Sequence, residues 1–349
     1  TAYEEPTIKR SRSHNYVSKE VINVRENVGV MELANFSKHE FKGPDAKKFL
    51  DYVMAGKLPK PGRISLSPML TRKGKLYGDL TVACMDDNEF MIFGSGAAQE
   101  MHRRWFESHI GKFNLEYKNR SDDFHGLAIS GPKSREVLQK VVRDNVSNEK
   151  FKFRDSRRMY VAGVPAIVNR ISFTGELGYE IYVAPHYQIK LYEELTEAGK
   201  EFNIKPFGLR ALMSMRLEKN WGAWTLDYRP DFTAKETGLD AFINWDKEFI
   251  GKKYAKEDNS SNKLTPMVVE TNEIDVTYNE AVLKDDKAIG YVTSGGFAHF
   301  VNKSVAFSYL DTNKLNSGKG IQVEINGDLF NCNLIKEPLY DPSGSKMRS

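Results

Sequence analysis

The run Ile171-Ser-Phe-Thr-Gly-Glu-Leu-Gly-Tyr-Glu-Ile-Tyr-Val183 constrains this chain more than any other segment. Its residues favour a strand, yet it carries carboxylates at Glu176 and Glu180 and is broken by Gly175 and Gly178. A carboxylate inside a buried strand is expensive unless something neutralises it. A 2-amino-4-oxo pyrimidine edge would do so, because one carboxylate accepts two adjacent N–H donors much as it accepts a guanidinium. The competing reading is a hairpin end with two solvated glutamates, and these residues alone leave both open. Within the run, Glu180 and Tyr182 are alternate strand residues and share a face. Phe173, just upstream, offers a ring for stacking.

A second acid sits in a strand pattern at Leu76-Tyr-Gly-Asp-Leu-Thr-Val82. Alternation puts Tyr77, Asp79 and Thr81 on one face and Leu76, Gly78, Leu80 and Val82 on the other. If the apolar face is core, Asp79 points into solvent or into a pocket. A third constellation is Arg216-Leu-Glu-Lys219 with Trp221 and Trp224 close behind. Arg216 there suits a carboxylate tail, or the surface of an amphipathic helix.

The 349 residues exceed what one core usually organises, so two or three domains are expected. Residues 1–25 read as a polar, irregular arm or linker, 26–123 and 124–260 as two α+β regions, and 261–349 as a small β-domain of short strands. The helix after Gly208 is expected to turn Leu209, Leu212, Met213 and Leu217 inward. Net charge is only +4, which argues against a dedicated nucleic-acid binder. Cys84 and Cys332 form no framework and read as buried small hydrophobes. The histidines show no metal-ligand spacing. No apolar run is long enough for a membrane helix. Phe93-Gly-Ser-Gly-Ala-Ala-Gln99 mimics a dinucleotide fingerprint, but Gln99 occupies its third small position and the preceding strand belongs to a hairpin pattern. The first residues lack the order of a signal peptide. They also lack an initiator Met, which fits a processed chain or a piece of a longer one.

Taken in order, Gly43-Pro-Asp-Ala46, Pro68-Met-Leu70, Gly74-Lys-Leu-Tyr-Gly-Asp-Leu-Thr-Val82, Ser130-Gly-Pro132, Ser172 to Ile181, Arg216-Leu-Glu-Lys219, Glu236-Thr-Gly-Leu-Asp240, Phe249-Ile-Gly-Lys252 and Thr293-Ser-Gly295 resemble the folate-dependent aminomethyltransferase family of the glycine-cleavage T-protein. Val24 to Glu32 and Asp227-Tyr-Arg-Pro-Asp231 make the C-terminal folate half of dimethylglycine and sarcosine dehydrogenases the nearest likeness. The resemblance implies an α+β fold, a three-domain clover-leaf of the T-protein type with a C-terminal small β-domain. It implies tetrahydrofolate in a central cavity, with Asp79 as the catalytic acid–base group near N10. Leu80 and Thr81 would line that wall, and Glu180, Ile181 and Tyr182 would hold the pterin, with Phe173 and Arg216 completing the site. Phe173 stands where the family has tyrosine, and Ala241 is smaller than its dehydrogenase counterparts.

The activity implied is one-carbon transfer giving 5,10-methylenetetrahydrofolate from a methylated-amine-derived iminium or formaldehyde. FAD would belong only to an absent domain or a partner subunit. The alternatives are a glycine-cleavage aminomethyltransferase fed by a lipoyl carrier, or a folate-dependent demethylase or methyltransferase. The expected location is the cytoplasm, or the mitochondrial matrix in a eukaryote, with no nucleic-acid or membrane partner.

Overall fold

The computed structural model describes residues 9–315 and 320–349; the opening residues 1–8, where part of the expected arm falls, lie outside them. Three β units organise the chain. A five-stranded sheet runs in the order Arg63–Leu70, Leu76–Asp86, Glu89–Ser95, Phe36–Lys42, Glu116–Asn119. A six-stranded sheet runs Ile204–Pro206, Val28–Glu32, His125–Ser130, Gly178–Val183, Val164–Asn169, Ser156–Val161. The strands Asn262–Val269, Lys303–Asp311, Lys287–Ala298, Ala281–Lys284, Ile321–Ile325 and Asp328–Leu334 close into a barrel. Closure leaves no edge strand, which suits a short-stranded unit that would otherwise expose unpaired backbone.

Each sheet buries one face under helices. Leu80, Val82 and Cys84 pack with Phe41, Phe49, Leu50 and Phe106, sealing the five-stranded sheet under the helices Ala46–Val53 and Gln99–Ile110. Val28, Ile129, Tyr179 and Ile181 do the same against Val137, Leu138, Leu191 and Leu195. The opposite faces of the two sheets meet through Leu33, Ile64, Ala83, Met91, Phe93, Ile167 and Tyr182. Burying strands on both faces takes near-continuous apolar runs, and Leu76–Asp86 has one apart from Tyr77, Asp79 and Thr81.

Three expectations need correction, and one strand goes beyond them. The arm is not irregular throughout: His14–Glu26 is a helix whose Val17, Val21 and Val24, at helical spacing, pack on Phe207, Ala211, Leu212 and Met215. The strand Val28–Glu32, expected in the first region, pairs antiparallel with His125–Ser130 and so belongs to the second sheet. Leu209 is 56% exposed at the start of its helix, Met213 is half-buried, and only Leu212 and Leu217 turn fully inward. The central strand Phe36–Lys42 was not expected, because Lys38, His39 and Glu40 give it the composition of a surface loop. Both cysteines are buried and unpaired, as their apolar surroundings imply.

Candidate functional site between the two sheets

The site grows from the register of the strand Gly178–Val183. Glu180 lies opposite Ala128 on one side and Asn169 on the other, and Ala128 in turn lies opposite Met31. Met31, Ala128, Glu180 and Asn169 therefore form a row on one face of the six-stranded sheet. Glu180 is half-buried. Desolvation pushes its carboxyl up to about 7, while the Tyr182 hydroxyl, the Asn169 amide and the Lys38 ammonium pull the other way. The Tyr182 hydroxyl donates to Glu180 Oε2 at 3.0 Å. No cation lies within ion-pair distance of Glu180 among the described residues.

Asn169 is buried completely. Its Oδ1 accepts from Ser156 Oγ at 2.7 Å, but its Nδ2 has no hydrogen-bond partner. The acceptor this amide answers is the neighbouring Glu180 carboxylate, whose ionised form it favours.

The facing wall comes from the five-stranded sheet. Lys38, Phe93, Thr81 and Leu66 stand opposite one another across four strands, and Asp79 lies two residues from Thr81 on the same face. The Phe93 ring stacks on Tyr182, centroids 4.6 Å apart, which brings the Asp79 face against the Glu180 face. Tyr182 reaches that position because Gly126 leaves room: a Cβ there would come within 2.8 Å of its ring. Asp79 is half-buried, and desolvation pushes it up to about 7 against the pull of its own backbone N–H. Burial and the Asp79 charge together push the nearby Tyr228 phenol up. Two acids poised near neutrality on opposing walls are what proton-handling chemistry needs.

Lys38 is fully buried and donates to Ala34 O at 3.0 Å. Its burial brings the amine down to about 8, and its Nζ lies 5.8 Å from the Tyr182 ring centroid. Phe173 stacks on Trp221 with centroids 5.6 Å apart, and Phe173 and Met31, the end of the Glu180 row, pack on the same cluster of Val17, Val21, Val24, Phe207 and Met215.

Three expected site residues are elsewhere. Leu80 is buried among Phe41, Phe49 and Phe106 on the opposite face of its strand from Asp79 and Thr81. Ile181 likewise faces the core with Val28 and Leu195, away from Glu180. Only their backbones belong to the wall; the period of two forbids their side chains from sharing it. Arg216 is neither a surface residue nor a free anion receptor. It is 1% exposed and bound to Asp227 Oδ2 at 2.7 Å and Trp221 O at 2.9 Å. Asp227 also accepts from Thr293 and Ser294, so Arg216 ties its helix to the barrel.

The two glutamates of the opening run separate as well. Glu176 is 1% exposed and ion-paired to Arg25 at 2.9 Å. Glu176 is sealed from solvent, and Glu180 is half-buried. Sequence reasoning missed Asn169, Lys38, Phe93 and Met31; Asn169 was visible as a polar residue at the end of the apolar run Ala166-Ile-Val168, whereas Lys38 is hidden among polar neighbours.

No helix among the described residues is long and apolar enough to cross a membrane, and no cluster of potential metal ligands occurs among them. The GCVT N-terminal domain matches residues 1–247 and the glycine cleavage T-protein C-terminal barrel domain matches residues 262–341. The chain is 34% identical to the mitochondrial dimethylglycine dehydrogenase of Mus musculus, over 98% of this chain and 40% of that protein. It thus spans about two fifths of the length of that relative. It is 30% identical to the aminomethyltransferase of Caldanaerobacter subterraneus, over 93% of this chain and 87% of that one. The glycine cleavage system aminomethyltransferase T from Bartonella henselae superposes with a TM-score of 0.85, covering 98% of this chain and 95% of its own at 21% identity, a likeness of fold. With its two domain matches, and with two sheets and a closed barrel arranged as in that structure, the chain belongs to the glycine cleavage T-protein family.

Proposed function

We propose that this chain binds tetrahydrofolate between its two sheets and transfers a one-carbon unit to it, as the folate part of a dimethylglycine or sarcosine dehydrogenase-like protein. The observation that carries the reading is the pair of carboxylates on facing walls, Glu180 and Asp79, which form no ion pair among the described residues. The residues present fit the ligand. Glu180 forms no ion pair among the described residues and suits paired N–H donors, with the Asn169 amide beside it on the same row. Phe173 and Trp221 offer a stacking surface without the hydroxyl that a tyrosine would bring.

Bound tetrahydrofolate supplies amine nitrogens that capture carbon at the formaldehyde oxidation level, with 5,10-methylenetetrahydrofolate as product. The protein's work is orientation and proton handling. Glu180 and Asn169 fix one end of the ligand, converting an encounter into an effectively unimolecular step. Asp79, poised near neutrality, takes a proton from the reacting amine and returns it. The Phe93–Tyr182 contact closes the sheets over the site and limits water.

The donor in this reading is an iminium or formaldehyde made from an N-methyl amine by a flavin domain or subunit outside these residues. Support comes from the match of 98% of the chain to a segment of a dehydrogenase. A second reading, an aminomethyltransferase of the glycine-cleavage type, is favoured by the match to 87% of such an enzyme's length. Formaldehyde trapping in an assembly of this chain with its flavin partner, oxidising dimethylglycine or sarcosine, separates them. Free formaldehyde should fall sharply when tetrahydrofolate is added. Equal trapping with and without it would refute coupled transfer and favour the second reading.

A further inference from the structure

We propose that Tyr340 and Arg25 are positioning residues, which lock the loop bearing Phe173 and thereby hold the Phe173–Trp221 platform in register with Glu180. The inference rests on the reading of that platform as part of the folate site. It assigns a role to a buried charge cluster that the chemistry itself does not use.

The Arg25 guanidinium comes from the end of the N-terminal helix. Its Nη1 donates to Glu176 Oε1 at 2.9 Å and to Thr174 O at 2.7 Å. Its Nη2 donates to Glu218 Oε2 at 2.6 Å. The Tyr340 ring, brought by the C-terminal segment, covers the guanidinium at 3.8 Å, and its hydroxyl donates to Glu176 Oε1 at 2.5 Å. Tyr340 is anchored in turn: its N–H donates to Glu218 O at 3.0 Å, and its carbonyl accepts from Lys219 Nζ at 3.1 Å. Arg25, Glu176, Glu218 and Lys219 are each at most 3% exposed. A buried ion cluster of this kind adds little net stability over apolar packing, so its value lies in fixing one geometry.

The geometry it fixes is that of the loop 172–178. Arg25 grips the loop at Thr174 and Glu176, on either side of Gly175. Gly175 has φ +84°, and a Cβ there would meet the Lys219 stem at 2.7 Å. The loop backbone is thus clamped between Arg25 and Lys219. Phe173 precedes the clamped residues by one position, and Trp221 follows Lys219 by two. Both rings of the stack are therefore attached to members of the cluster, while none of the cluster lies in the Glu180 row.

The test uses the full chain with Tyr340→Ala and Tyr340→Phe. Tyr340→Ala uncovers Arg25 and frees the loop. It should raise KM for tetrahydrofolate about tenfold while kcat stays within about twofold, since a mobile platform must be ordered on binding. Hydrogen exchange at residues 173–177 should quicken in step. Tyr340→Phe keeps the ring over Arg25 but loses the hydroxyl that donates to Glu176, and should leave KM raised about threefold at constant kcat. Unchanged KM and unchanged exchange in Tyr340→Ala would overturn the proposal, as would a fall in kcat with KM intact. Should Tyr340→Ala not fold, Tyr340→Phe decides alone: a KM raised about threefold at constant kcat supports the clamp, and a wild-type KM rejects it. If the wild type binds no tetrahydrofolate, the site reading fails. Exchange at residues 173–177 then still decides the clamp, quickening supporting it and a wild-type rate overturning it.

Discussion

Replacing Glu180 by glutamine separates what the site costs from what it does. In the folded chain desolvation lifts the Glu180 carboxyl from 4.5 to about 7, with Tyr182, Asn169 and Lys38 opposing. A carboxyl raised on folding binds its proton more tightly in the folded state. Its contribution to stability is therefore complete below about pH 4.5 and is lost as pH rises through about 7. At roughly 1.4 kcal/mol per pK unit, the ionised group costs the unliganded protein about 3 kcal/mol at pH 8. Glu180→Gln removes that titration. The unliganded variant should melt several degrees above wild type at pH 8 and close to it at pH 4, by calorimetry. Asp79 titrates equally in both proteins and cancels. The same substitution removes the charge that accepts N–H donors, so tetrahydrofolate affinity should fall by about 1.5–3 kcal/mol. Higher stability with lower affinity is the signature of a carboxylate held uncompensated for a ligand. A variant no more stable at pH 8 than wild type, binding tetrahydrofolate equally well, would refute the argument.

Asp79→Asn should fold normally and slow product formation in a single turnover by roughly 10²-fold, because the proton acceptor is gone. The wild-type pH–rate profile should change near 7, where Asp79 and Glu180 both titrate, and the variant should keep only the Glu180 component. Arg216→Met should cost about 3–5 kcal/mol in denaturant titration, because Asp227 is left as a buried charge without its cation. Because Arg216 also holds the Trp221 carbonyl, the folded fraction of that variant should bind tetrahydrofolate more weakly, with kcat little changed.

What could be read from the sequence followed from periodicity. The helices Ala46–Val53, Ser134–Val141 and Gln188–Gly199 and the hairpin Leu76–Asp86 with Glu89–Ser95 announced themselves by apolar spacing. The small β-domain followed from its short strands and turns, but its closure into a barrel rests on long-range strand pairing. The helix His14–Glu26 did not, because its three buried valines are diluted by polar neighbours and a lone apolar stripe is a weak signal. The strand Phe36–Lys42 was hidden for the opposite reason. Its polar residues are buried by tertiary contacts that no local pattern encodes, such as the Tyr117 hydroxyl bound to His39 at 2.9 Å. The family resemblance supplied the architecture and the pair Asp79 and Glu180. It also placed Leu80 and Ile181 at the site, where the alternation of their own strands turns their side chains to the core and leaves their backbones on the wall.

The fates of Glu176 and Glu180 show why a local pattern stops short of a site. Both lie in one apolar run, four residues apart, and either could have faced a ligand. What separates them is which charge the rest of the chain brings. Arg25, about 150 positions upstream, reaches Glu176 because the helix His14–Glu26 packs on the helix Leu209–Glu218, and that packing is long-range. Glu180 points from the other side of the broken strand at Asn169 and the facing sheet, where among the described residues only a distant lysine answers it. A buried carboxylate with its cation is architecture, and its loss is read in stability. A buried carboxylate without one is strained until a donor arrives, and its loss is read in binding. Melting and binding measured together on Glu176→Gln and Glu180→Gln should therefore give opposite signs for stability. Glu176→Gln should destabilise, because Arg25 and Tyr340 lose the charge they surround. Two changes of the same sign would mean that burial alone, without regard to partners, governs this strand.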